Sequence, residues 1–82
     1  MSNIEERFNA FKRGFTSSEI EYIEDCWIVF KMAVEFGTLY TIDLEEELPP
    51  LPWNVTVRQG YMIRQTLLDL AINLRDEKSQ MG

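Results

Sequence analysis

The side chains that stand out for reactive chemistry are one thiol and fourteen carboxylates, in a sequence that holds no histidine. Cys26 has no obvious partner: a nucleophilic thiolate needs a base beside it, and imidazole, the usual one, is absent. One Cys without His also removes the common zinc ligand sets. With Tyr22, Ile23, Trp27 and Phe30 around it in sequence, Cys26 reads as a small buried hydrophobe. Glu21 with Asp25, and Glu24 with Asp25, are carboxylate pairs of the kind that acid–base catalysis uses. No nucleophile or pocket-forming motif accompanies them, so they read as exposed helix charges. The run Glu45-Glu46-Glu47 lacks the staggered oxygen ligands and the glycine turn of a calcium loop. It reads as a solvated face or as the contact for a basic partner. Pro49-x-x-Pro52 has the spacing of an SH3 ligand, but no base adjoins it and leucines and Trp53 surround it, so it reads as a rigid packed linker. No enzyme activity, metal or cofactor is expected from these residues.

Three other residues break the pattern of their surroundings. Ile28 and Met32 are an i, i+4 apolar pair inside an acidic helix face, ringed by Glu21, Glu24, Asp25 and Glu35. Either the connection or a third helix covers them as part of a broad core, or they are the apolar anchor of a binding surface with a charged rim. Arg64 falls near the centre of an apolar helix face. It either snorkels or pairs with a carboxylate of a neighbouring helix, or it lies at a subunit contact. The candidate contact residues, for a partner or for a second copy, are therefore Ile28, Met32, Glu45, Glu46, Glu47 and Arg64.

The elements that must position these residues are helices. Thr16 to Gly37 is the longest periodic stretch, opened by a Thr16/Glu19 capping box and closed by Gly37. Its apolar residues cover more than half the helix circumference, which predicts a helix surrounded by others, with Trp27 as a core anchor. A first helix over about residues 2–13 starts at a Ser2/Glu5 box, carries Ile4, Phe8 and Phe11 on one stripe, and ends at Gly14. The short turn at Gly14 and Phe15 predicts an antiparallel hairpin of these two helices. A last helix spans about 56–75 from a Thr56/Gln59 box, with Val57, Tyr61, Ile63, Leu67, Leu70 and Leu74 among its apolar face. Gly60 on that face permits a close approach. Residues 76–82 are expected to fray. Between the second and third helices, 38–47 reads either as a short strand or as a helical turn capped by Asp43. Pro49, Pro50 and Pro52 then favour an extended arm, and Leu39, Tyr40, Ile42, Leu44, Leu48, Leu51 and Trp53 predict that it packs. The expected architecture is one all-α domain of three helices with a Pro-rich packed arm between helices 2 and 3.

Charge narrows the partner. The chain of 82 residues has a net charge of −6, and from Glu19 to Glu47 nine acids face one base, a local charge of −8. Direct binding to nucleic acid, which Lys and Arg drive, is not expected, and anionic lipid would be repelled. A protein with a basic or apolar surface is the expected partner. The polar, acidic Met1 to Phe8 is not expected to be a signal or transit sequence, and no apolar run approaches the roughly 20 residues of a membrane span. With one cysteine, a reducing, cytoplasmic setting is expected. Both long helices have apolar arcs wider than one buried face requires, which predicts self-association, most simply a homodimer.

In length, acidity, helical character and lack of a membrane span, the chain resembles the small regulatory proteins of tailed phages. Within them it is similar in build to the cytoplasmic accessory lysis-inhibition proteins, or antiholins, of T4-like phages. No motif carries this resemblance, so no functional residue is transferred. It implies a small non-enzymatic regulator that binds one target protein and inhibits or redirects it. Two other classes stay open: an acidic DNA mimic that blocks a nucleic-acid-binding protein, and a self-associating structural or assembly protein.

Overall fold

The computed structural model describes residues 3–81 and, among them, three α-helices and no strand. Helix α1 is Asn3–Lys12, α2 is Ser17–Phe36 and α3 is Val57–Met81. The expected Ser2/Glu5 box lies outside the described residues. At α2 the Thr16 box is present in both directions: Glu19 N–H donates to Thr16 Oγ1 at 3.3 Å, and Thr16 N–H donates to Glu19 Oε1 at 2.8 Å. Gly37, at φ 71°, ends the helix in the left-handed conformation. The amide of Thr38 then reaches back to Ala33 O at 2.9 Å, so the last carbonyls are satisfied.

The pairing of side chains fixes the directions of the helices. Phe8 of α1 stacks on Trp27 of α2 with ring centroids 5.0 Å apart, and Lys12 pairs with Glu24 at 3.1 Å. As α1 runs back from Lys12 to Phe8, its partner advances from Glu24 to Trp27, which is the order of an antiparallel hairpin. Between α2 and α3 the order is the opposite. Arg64 meets Tyr22, and Lys78 meets Glu35 at 3.1 Å, so these two helices run parallel.

Parallel neighbours explain the long connection. The chain leaves α2 at its C-terminal end and must return along a 20-residue helix, about 30 Å, before α3 can start. Residues 37–56 make that return against α3. Tyr40 lies over Arg75, Glu45 reaches Arg64, and Leu51 sits on Gly60. A Cβ at position 60 would occupy the space of the Leu51 side chain, so the glycine is what lets the arm lie close. The ambiguity over 38–47 resolves toward helical turns: a 3-10 turn at Leu39–Thr41, then a turn in which Asp43 Oδ1 accepts from Glu45 and Glu46 amides at 2.9 and 3.2 Å. Leu39 and Leu48 enter the core, and Ile42, Leu44 and Leu51 pack against it.

Four expectations need correction. First, α2 is not surrounded. Tyr22, Ile23, Cys26, Trp27, Phe30, Ala33 and Val34 are buried, whereas Ile28, Met32 and Phe36 on its other side are exposed. Second, Trp53 and Tyr40 do not pack into the core with the rest of the arm; both are exposed. Third, Val57 and Tyr61 stay on the surface, because the arm covers α3 from Gly60 inward and leaves the flank of its first turns open. Fourth, α3 does not stop near Arg75 but continues to Met81. Residues 76–81 contain Glu, Lys, Gln and Met with no Gly or Pro, and Lys78 ties the extension to Glu35 of α2.

Candidate functional site

One side of α2 packs into the core and the other is left largely open, touched only at its edges by the arm and α3, and this creates the main surface feature. At 100° per residue the buried set, centred on Cys26 and Phe30, faces α1 and α3. The opposite side carries Glu21, Asp25, Ile28, Met32 and, at its end, Phe36. Ile28, Met32 and Phe36 follow one another at i, i+4, i+8 and are 54%, 52% and 73% exposed. They form a continuous apolar stripe about two turns long.

Met32 is the centre of the stripe, since a shallow cleft opens on each side of it. One is lined by Ile28, Lys31, Glu35, Leu74 and Lys78, the last two reaching over from α3. The other is lined by Val29, Ala33, Phe36, Thr38, Ile42 and Glu47. The structure thus brings together Ile28, Met32 and Glu47 from the sequence-predicted set and adds Phe36, one of the apolar residues of the Thr16–Gly37 stretch. The i+4 spacing from Met32 was the available signal. Of the acidic rim, Glu24 is paired to Lys12 and Glu35 to Lys78, each at 3.1 Å. Among the described residues Glu21 and Asp25 have no ion pair.

Arg64 belongs elsewhere. It is 8% exposed, and its Nε donates to Tyr22 Oη at 2.8 Å. Nη1 lies 3.8 Å from Glu45 Oε1, so the carboxylate that answers it comes from the arm and not from a helix. Arg64 therefore clamps α3, α2 and the arm together inside the domain. The three glutamates divide: Glu45 faces Arg64, Glu47 Oε2 accepts from the Asp43 amide at 2.7 Å within its own turn, and Glu46 is exposed on the same turn.

Cys26 is fully buried, and burial pushes its thiol above the ordinary 9.0, against the opposing pull of Tyr22 and Arg64. Burial likewise raises the Tyr22 phenol above 10.0, although the Arg64 hydrogen bond acts in the other direction. A thiol held protonated inside a core is a poor nucleophile. In the folded protein Cys26 is expected to resist a thiol reagent at pH 8 and to react within the dead time once denaturant is added; equal rates in both states would contradict its burial. Both shifts are upward, so the folded state holds these protons more tightly. Their contribution to stability is complete below about pH 9 and is lost as pH rises through the folded values.

Among the described residues no group of three or more His, Cys, Asp or Glu is arranged to hold a metal, and no helix is long and apolar enough to cross a membrane. Comparison of the chain with protein-family models, with curated proteins and with solved structures gives no match.

Proposed function

We propose that the protein is a small non-enzymatic regulator that binds a partner protein and inhibits or redirects it, with the outward side of α2 as the contact. The observation that carries this reading is the stripe Ile28, Met32 and Phe36, apolar, exposed and set between clefts. Fully burying an exposed side chain of this kind is worth about 1.5–3 kcal/mol, and with half or more of each still exposed the three together form an anchor once a partner excludes water. The charge around the stripe favours a basic surface opposite it, and a cytoplasmic protein of the phage lysis-inhibition type fits this behaviour. The DNA-mimic reading is weaker, because Glu24, Glu35 and Glu45 are engaged by Lys12, Lys78 and Arg64 and the acidic row is interrupted. Self-association through the same stripe is the second reading, favoured by its apolar character and opposed by the net charge of −6. The test is capture of a partner from a native lysate on the immobilised chain and on its Ile28→Gln/Met32→Gln variant. Retention by the first and not by the second supports the proposal; equal retention by both overturns it.

A further inference from the structure

The first turns of α2 and the proline-rich arm enclose a cleft that the stripe does not include, lined chiefly by Glu21, Tyr22, Asp25, Pro49, Pro52 and Trp53. Trp53 is 96% exposed, the opposite of Trp27 in the same small domain. It is not on a loose loop. Pro50 and Pro52 fix the backbone before it, the Val55 amide donates to Pro52 O at 3.1 Å, and Val55 itself is buried. The backbone that carries the indole is thus pinned, so a ligand that covers the ring has one side chain to order and not a loop. Beside it Glu21 and Asp25 are an i, i+4 pair of like charge, with Cβ atoms about 5–6 Å apart, an arrangement that repels. Their neighbour Glu24 is answered by Lys12, and Arg64 is turned to Tyr22 and Glu45, so neither base relieves this pair.

We infer that this cleft takes an arginine side chain carried by a protein partner. Its apolar stem lies along Pro49, Pro52 and Trp53, its plane stacks on the indole, and its fork of donors bridges Glu21 and Asp25. The inference rests on the preceding reading of α2 and extends it. Asp25 stands about 10 Å, two helical turns, before Met32, so the partner's arginine is set that far from its apolar anchor.

The probe is the amidated pentapeptide Ac-Ala-Ala-Arg-Ala-Ala-NH2, titrated into the protein at low ionic strength, with the norleucine peptide as control. The readout is the indole N–H resonance of Trp53, identified by its loss in Trp53→Phe, together with the Glu21 and Asp25 amides. The arginine peptide is expected to shift these resonances saturably in the millimolar range and the norleucine peptide not to. Glu21→Gln/Asp25→Asn, both at exposed positions, is expected to weaken binding at least tenfold without altering the fold. No saturable shift, an equal shift by norleucine, or wild-type affinity in the double variant overturns the cation site. The pentapeptide carries only alanines beside its arginine and offers no apolar anchor for Met32, so its failure leaves the α2 stripe standing, and failure of the stripe in partner capture leaves this titration unchanged.

Discussion

Truncation of Trp27 to alanine is expected to bring the domain to the edge of unfolding. The ring is 5% exposed and stacks on Phe8 at 5.0 Å with the planes 19° apart, so it links α2 to α1 through a buried apolar contact. Removing a buried Trp costs about 3–5 kcal/mol, part in transfer and part in the cavity left behind. The whole stability of a small domain is about 5–15 kcal/mol. For a chain of 82 residues each kcal/mol corresponds to about 4–8 °C, which places the loss in melting temperature at roughly 12–40 °C. Phe8 loses its stacking partner as well. Thermal circular dichroism at the helical minimum reads this directly. Trp53→Ala is the matched control: the same residue type, removed from the surface, is expected to shift the midpoint by no more than about 0.5 kcal/mol, a few degrees. Equal shifts in the two variants would contradict the placement of both rings.

The second large effect is on binding. Ile28→Gln/Met32→Gln is expected to lower affinity for the captured partner by about thirtyfold or more per residue, the equivalent of about 2 kcal/mol each for central contacts. Glutamine is chosen because it propagates a helix nearly as well as methionine and adds no charge beside Glu24, Asp25 and Glu35. Melting is expected to stay within about 0.5 kcal/mol of the parent, as for other surface changes. Sedimentation equilibrium at tens of micromolar assigns the stripe. A species of 9.7 kDa leaves it free for a partner. A species of twice that mass, dissociated by the double substitution, gives it to a second copy.

Much of this fold is legible in the sequence because its signals are local. The Thr16/Glu19 box, Gly37 and the 3.6-residue periodicity need only neighbours along the chain, and they mark α2 to within a residue. What was not legible depends on tertiary placement. An apolar arc wider than 180° does not say which part of it meets α1 and α3, so Phe36 reads the same as Phe30 until the helices are assembled. The parallel course of α2 and α3 follows from Arg64 meeting Tyr22 and Lys78 meeting Glu35, contacts some forty residues apart in sequence. The Lys78 contact also lies on the part of α3 past Leu74, where the apolar periodicity stops reporting. Trp53 is the plainest case: an apolar side chain among prolines and leucines predicts burial, and only the closed turn that presents it shows otherwise. Arg64 was visible as an anomaly, whereas its actual partners, a phenol and an arm carboxylate, were not.

The outward side of α2 as the binding surface is tested most directly by site-specific photo-crosslinking in the native cell. A photoreactive side chain in place of Met32 is expected to yield one adduct with a single partner protein. The same group at Asn9 of α1 or Gln65 of α3, both exposed, is expected to yield none. Adducts from Asn9 or Gln65 with none from Met32 would contradict the account.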